Sequence, residues 1–154
     1  MDRVGERRSR ANRERVVTAG GPAVVHVAWA GGTRFDAGRP NGPAFRLDTS
    51  GETGQSPVDA VLSGLGGCVS IDILGILEKQ RTPARSFAVD VTGDRVDTTP
   101  RRLSHVMLHF TIAGEGLQRP AVERAIDLSI TKYCSVRDSL RTDIQVEWTL
   151  TLEP

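Results

Sequence analysis

The chain is poor in cysteine, and its two cysteines lie in different halves of the sequence. They are Cys68 and Cys134 of 154 residues. A secreted disulfide scaffold carries more cysteines in a smaller chain. A structural zinc site needs four ligands in close pairs, and neither cysteine has a C-x-x-C or H-x-x-x-H neighbour. Two interpretations remain, which are two buried inert thiols or one redox pair.

Long apolar runs and strong net charge are also missing. The longest apolar stretches fall short of the roughly 20 residues that cross a bilayer. No apolar segment of the secretory type follows the Arg-rich N-terminus. The net charge is +1, and 38% of the residues are hydrophobic, which is a globular composition. We therefore expect a cytoplasmic protein without a membrane partner.

The basic charge is concentrated in residues 1–20, where six arginines face three acidic residues. Such an arm could contact nucleic acid, but it lacks interleaved aromatic residues and the rest of the chain is slightly acidic. We predict that residues 1–20 form a disordered extension without a nucleic-acid partner. Residues 21–154 are predicted to form one domain.

The strongest helix signal begins at Ser56. This residue is a typical N-cap, Pro57 suits the first helical position, and the charge of Asp59 suits the helix dipole. Apolar residues then recur at helical spacing to about Gln80, with Cys68 in the middle. Each interior glycine costs about 1 kcal/mol relative to alanine. We therefore expect a central, buried helix that a neighbour approaches closely at its glycines, which are Gly64, Gly66, Gly67 and Gly75.

Strand patterns lie on both sides of this helix. They cover residues 22–30, short pieces within the turn-rich stretch 34–48, and residues 86–94, 103–113 and 144–153. A second helix is predicted from Pro120, and Ser135 with Asp138 predicts a short helix directly after Cys134. This order predicts an α+β fold with antiparallel strands packed on helices. The glycine-rich helix indicates a homodimer that associates through it.

The thiolate is the reactive form of cysteine, and cations and helix N-termini favour it. Cys134 precedes a predicted helix start, whereas Cys68 would need a cation or donor brought to it by the fold. These features do not choose between the two sulfurs. His105 and His109 share one strand face, but no third ligand is apparent, so no metal site is predicted.

Several motifs resemble those of the OsmC/Ohr family, and the resemblance covers roughly residues 23–154. They are SPVDA at residues 56–60, LGGC at 65–68, LS at 128–129 and KYCSV at 132–136. The resemblance implies an OsmC-like α+β fold, with an antiparallel sheet on a long central helix. It also implies an intertwined homodimer whose active sites lie at the interface.

The activity implied by the resemblance is that of a cysteine-based peroxidase. Cys68 would attack an organic hydroperoxide and become a sulfenic acid, and Cys134 would condense with it to a disulfide. A dithiol would then reduce that disulfide. No metal or other cofactor is required, and a transient disulfide is compatible with a reducing cytosol.

The chain departs from the peroxidase branches at the residues that activate the thiol. There, an early glutamate of the helix pairs with an arginine that lowers the thiol pKa, but Val58 occupies the glutamate position here. Asp59 is the candidate next to it, although one helix position turns it by about 100°. The candidate arginine is Arg34, with Arg39 and Arg46 as alternatives. The alternative function is a protein that binds an apolar or acyl ligand in the interface pocket, with the cysteines as a redox sensor.

Overall fold

The computed structural model describes residues 21–154. These residues divide between Val58 and Asp59 into two compact units, and each contains a three-stranded sheet. The predicted disordered extension, residues 1–20, lies outside the described residues. The division into that extension and one following domain stays a prediction.

The first unit is a meander of three antiparallel strands. They are β1 (His26–Trp29), β2 (Arg34–Gly38) and β3 (Ala44–Asp48), in that spatial order. Residues 34–48, where short strand pieces were expected, form the antiparallel hairpin of β2 and β3. In its register Phe35 lies opposite both Trp29 and Leu47, so these three side chains share one face. This face is apolar, and Trp29 is 70% exposed.

A compact turn follows β3, organised around the side chain of Asp48. This carboxylate is 2% exposed. It accepts hydrogen bonds from the backbone N–H and the hydroxyl of both Ser50 and Thr53, at 2.7–3.1 Å. These bonds hold the pKa of Asp48 well below its usual range. The turn thus satisfies a buried charge just before the long helix begins.

The long helix α1 (Pro57–Lys79) begins at the predicted residue. It is followed by β4 (Ser86–Arg95), β5 (Leu103–Ala113), α2 (Arg119–Leu128), a π-helical turn (Ser129–Tyr133), α3 (Ser135–Ser139) and β6 (Gln145–Glu153). The α+β class is confirmed. The sheet is not antiparallel throughout, however, because β6 pairs with β5 in the parallel direction. The helical segment between these strands is the crossover that parallel pairing requires.

The core of the second unit is formed by one face of α1, the inner face of β5 and α2. The predicted inner face of β5 is buried, and its Phe110 makes an edge-to-face contact with Phe87 at 6.0 Å. Full burial of such side chains contributes about 1.5–3 kcal/mol each. The helical part of this core consists of Leu65, Val69, Ile73, Leu77, Val122, Ala125 and Ile126.

The opposite face of α1 is exposed, which corrects the expectation of a wholly buried helix. Ile71 is 71% exposed, and Val61 and Leu74 are also exposed. Of the four helix glycines, only Gly66 is required by a close contact within the described residues. A Cβ at this position would lie 2.8 Å from a methyl group of Val91. The other three glycines, Gly64, Gly67 and Gly75, face open space.

By length and composition α1 could also cross a membrane. It has 23 residues, and one 18-residue window has a mean hydropathy of 1.9. Asp59 and Asp72 nevertheless interrupt its apolar residues, so it contains no uninterrupted apolar stretch of about 20 residues. Core helices of soluble proteins meet the same criteria, so the finding is weak evidence for a membrane span. It does show that α1 carries more apolar surface than the described residues cover.

Candidate functional site: two thiols and an adjoining cleft

Cys68 lies in the middle of α1, at the border between its buried and exposed faces. The residue is half-buried, and the next residue, Val69, is fully buried. The long, continuous helix fixes the direction of the Cys68 side chain. The cysteine is therefore held on a rigid element while it keeps some access to solvent.

Cys134 is positioned by the π-helical turn that ends α2. Its backbone N–H donates to the carbonyl oxygen of Ser129 at 2.9 Å, which is the wide hydrogen bond of a π-helix. Its sulfur accepts the backbone N–H of Arg137 at 3.3 Å and so caps α3. The short helix was predicted correctly, but its cap is Cys134 rather than Ser135. Nothing in the apolar spacing indicated the π-helical turn.

The structure places the side chains of the two cysteines near each other. Both are free thiols, and Cys68 lies close enough to influence the pKa of Cys134. Burial raises the pKa of Cys134, and the neighbouring Cys68 raises it further, whereas the N–H of Arg137 opposes the shift. The thiol of Cys134 is thus kept protonated beside the sulfur of Cys68. This is a starting geometry from which a disulfide can form.

A buried serine hydrogen-bonds the Cys134 segment to the helix that carries Cys68. The hydroxyl of Ser129 donates to the carbonyl oxygen of Val69 at 3.0 Å, and Oδ2 of Asp72 lies 3.3 Å from it. Ser129 has no exposed surface. The same residue therefore bonds through its backbone to Cys134 and through its side chain to the neighbour of Cys68. In the sequence, only the LS motif included Ser129, and it suggested no role for this residue.

A cleft of about 580 Å³ adjoins Cys134. Its polar wall includes Lys132, whose ammonium lies 5.5 Å from the ring centre of Tyr133. Arg137 also lines the cleft, but its guanidinium is held by the carbonyl oxygens of Arg141 and Ile144 at 3.2 and 3.0 Å. The apolar part of the lining consists of Ile130, Leu140 and Val146.

The other two residues expected at the site lie elsewhere along the chain. Asp59 lines a second cleft, of about 460 Å³, together with Asp90. It precedes Cys68 by about two and a half helical turns, which places it on the opposite side of α1. Arg34 belongs to the first unit, where its Nε donates to the carbonyl oxygen of Gly31 at 3.3 Å. Catalytic roles for Asp59 and Arg34 stay predictions.

Of the alternative arginines, Arg46 forms a bidentate ion pair with Asp36 in the first unit. This pair raises the pKa of Arg46 and lowers that of Asp36. A guanidinium committed to its own carboxylate has less capacity to stabilise a thiolate. Among the three candidates, Arg46 is thus the least suited to the role.

The two histidines of β5 lie on the outer face of the second sheet. His105 is hydrogen-bonded to Glu147 at 2.7 Å and to Asp94 at 3.1 Å, and these bonds raise its pKa. His109 bonds to Thr149 at 2.6 Å. Among residues 21–154 no three His, Cys, Asp or Glu side chains form a group that could hold a metal ion. The histidines serve instead as cross-strand polar contacts.

Comparison with known proteins gives one family. The model of the OsmC-like protein family matches residues 49–149. Protein YhfA of Escherichia coli strain K12 is 37% identical over 123 residues, which are 79% of this chain and 92% of that protein.

Solved structures share the fold. An OsmC-like protein from Mycoplasma pneumoniae superimposes with a TM-score of 0.74 at 18% identity, over 87% of this chain and 99% of that one. The organic hydroperoxide resistance protein OhrB of Bacillus subtilis gives a TM-score of 0.61 at 15% identity, over 86% and 100%. At these identities the likeness concerns the fold alone.

Proposed function

The chain belongs to the OsmC-like protein family, and we propose that it is a thiol peroxidase that reduces organic hydroperoxides with Cys68 and Cys134. The observation that carries the proposal is the proximity of the two thiols, which come from distant parts of the sequence. The name of the related OhrB structure, an organic hydroperoxide resistance protein, supports the substrate class.

The different surroundings of the two sulfurs assign their roles. Cys68 is the more exposed, so it is the sulfur that a hydroperoxide reaches. Its thiolate attacks the outer oxygen of the peroxide, the O–O bond breaks, and the alkoxide leaves as the alcohol after taking a proton. Cys68 becomes a sulfenic acid. Cys134, which is 3% exposed, is less accessible than Cys68 and acts second.

The second step joins the two sulfurs and releases water. The sulfur of Cys134 attacks the sulfenic sulfur of Cys68, and the sulfenic oxygen leaves as hydroxide with the proton of the Cys134 thiol. The backbone N–H of Arg137 stabilises negative charge on the Cys134 sulfur during this transfer. A dithiol then returns the disulfide to two thiols. The cycle uses sulfur chemistry alone and needs no metal or organic cofactor.

We propose that the active form is a homodimer. Each unit of the chain exposes an apolar face, formed in the first unit by Val27, Trp29, Phe35 and Phe45 and in the second by Val61, Ile71 and Leu74 of α1. A monomer rarely exposes apolar patches of this kind without a partner. The glycines Gly64, Gly67 and Gly75 on the α1 face would let a second helix approach closely.

The activating cation is the part of the proposal that depends on the resemblance. Arg34 is the candidate that would lower the pKa of the reactive thiol, with Asp59 in place of the missing glutamate. The transient disulfide fits a cytoplasmic location.

Thiol titration before and after one equivalent of an organic hydroperoxide tests the proposed function. Loss of both thiols is expected in the wild type. Cys68→Ser should not react, and Cys134→Ser should accumulate a sulfenic acid that dimedone traps. Each variant is the matched control of the other. If both thiols persist through a long incubation, the peroxidase proposal is wrong and the alternative, binding of an apolar or acyl ligand, takes its place.

A further inference from the structure

We propose that the regenerating dithiol enters through the 580 Å³ cleft and attacks the sulfur of Cys134, so that Cys68 is the sulfur released first. This inference rests on the proposed function and adds to it the direction of the reductive half of the cycle. The dithiol could in principle attack either sulfur of the disulfide, and the geometry around the two sulfurs differs.

The first argument is the position of the cleft. In thiol–disulfide exchange the attacking, central and leaving sulfurs lie nearly in line. Cys134 lines the cleft, and the other lining residues come from residues 130–142 and from Val146. None of them belongs to α1, which carries Cys68. The cleft is thus formed without the helix of Cys68, so a thiol bound in it lies next to Cys134 rather than next to Cys68.

The second argument is the surroundings of Cys68. Neither of the two clefts described above is lined by Cys68. Its exposed side borders the α1 face of Ile71 and Leu74, which the proposed dimer covers. A small hydroperoxide needs little room at Cys68, but a dithiol must remain bound through two successive exchanges. The open cleft beside Cys134 offers that room.

The third argument is the leaving group. The lower the pKa of the leaving thiol, the faster it is expelled. Burial raises the pKa of the Cys134 thiol, so Cys134 is a poor leaving group in the first exchange. Attack on Cys134 avoids this cost because the sulfur expelled is Cys68.

The proposed reduction consists of two successive thiol–disulfide exchanges. One thiolate of the dithiol attacks Sγ of Cys134, the Cys68–Cys134 bond breaks, and Cys68 leaves with the electron pair as a thiolate. The second thiol of the reductant then attacks the reductant's own sulfur in the mixed disulfide and expels Cys134, which takes up the proton released by that thiol. The dithiol is oxidised to its disulfide, and the protein gains two electrons.

Trapping the mixed disulfide tests the direction of attack. The protein is oxidised with one equivalent of an organic hydroperoxide, mixed briefly with the alkyl monothiol 2-mercaptoethanol, quenched in acid and alkylated with N-ethylmaleimide. Peptide mass spectrometry should find the probe on Cys134 and the maleimide on Cys68, in excess over the reverse pattern by about tenfold. The reverse pattern would overturn the inference.

The same experiment separates the two proposals. If the hydroperoxide makes no disulfide, the proposed function fails, and diamide is used to form the disulfide instead. The position of the mercaptoethanol label on that disulfide then still decides the direction of attack.

A substitution that fills the cleft gives an independent test. Thr142 is an exposed residue of the lining. Thr142→Trp should lower the rate of disulfide reduction by dithiothreitol, relative to the rate of oxidation, by about tenfold. The matched control is Thr92→Trp, at an exposed position on β4 outside both clefts. Equal rate ratios in the two variants would contradict entry through the cleft.

Discussion

Burial and neighbouring groups determine how readily the thiol of Cys134 ionises. Burial and the thiol of Cys68 favour its protonated form, and the backbone N–H of Arg137 favours its thiolate. The sulfur is therefore kept as a thiol until a sulfenic acid appears beside it. Its position depends in turn on Ser129, whose backbone and side chain bond to the two cysteine-bearing segments.

Ser129→Ala should slow disulfide formation, because it removes the only hydroxyl that bonds these two segments to each other among residues 21–154. We expect a longer lifetime of the sulfenic acid, with little change in the rate at which the hydroperoxide reacts. Loss of the buried hydrogen bond should also lower the free energy of unfolding by about 1–3 kcal/mol. Stopped-flow oxidation and urea denaturation measure the two effects.

Ser104→Ala is the matched control for this test, since its hydroxyl bonds to a carbonyl oxygen on the neighbouring strand, remote from both cysteines. If Ser129→Ala slowed the peroxide step and the condensation step equally, Ser129 would have no specific role in positioning Cys134.

At the level of elements, α1 packs on its sheet at one glycine. A methyl group at Gly66 would lie 2.8 Å from Val91, a short side chain with little freedom to move. We expect Gly66→Ala to lower the free energy of unfolding by about 1–3 kcal/mol, an overpacking cost that exceeds the helix-propensity gain of about 1 kcal/mol. Urea denaturation measures this difference.

Gly42→Ala, in the turn between β2 and β3, is the control, because the added methyl group would make only ordinary contacts with Arg39, at 3.4 Å or more. It should leave stability unchanged or raise it. If both variants were equally stable, the close approach of β4 to Gly66 would not limit the packing of α1.

The outer face of the second sheet should make stability depend on pH. The bonds to Glu147 and Asp94 raise the pKa of His105 in the folded state. The stabilisation that these bonds give is therefore fully present below the pKa of His105 in the unfolded chain, about 6.5. It is lost as pH rises through the higher pKa of the folded state.

His105→Gln tests this dependence. Thermal unfolding from pH 5 to 9 should show the wild type losing its advantage over the variant as pH rises. His109→Gln is the control, since His109 bonds to a neutral threonine. A constant difference between wild type and His105→Gln across this range would exclude the proposed charge interaction.

The sequence predicted those elements whose signals are local. Pro57 opens α1, the alternation in β5 gives its buried face, and both are found as expected. The parallel pairing of β6 depends on the path of the crossover, which no local pattern encodes. The exposed face of α1 was missed because apolar spacing shows which residues avoid water but not whether the partner is the same chain.

The residues of the candidate site also fall into two groups, those that sequence motifs predicted and those that they did not. The motifs identified Cys68 and Cys134, and the fold brings them together. Ser129, the π-helical turn and the cleft escaped prediction because each depends on contacts between segments far apart in sequence. Arg34 and Asp59 came from the resemblance, and helix geometry sets Asp59 apart from Cys68.

At the scale of the whole molecule, the proposed homodimer would cover the exposed apolar face of α1. Ile71→Lys places a charge at the centre of the exposed α1 face. We expect the wild type to run as a dimer in light scattering and this variant to dissociate to monomer. Thr92→Lys, on the exposed face of β4, should remain a dimer. A monomeric wild type, or an Ile71→Lys variant that stays dimeric, would remove α1 from the interface.

The central claim is that Cys68 and Cys134 form a redox pair, and non-reducing peptide mapping tests it most directly. The protein is treated with one equivalent of an organic hydroperoxide, blocked with N-ethylmaleimide and digested. We expect a single disulfide-linked pair of peptides that contain Cys68 and Cys134, absent from the untreated sample and lost after dithiothreitol. Recovery of both cysteines as maleimide adducts after treatment would contradict the claim.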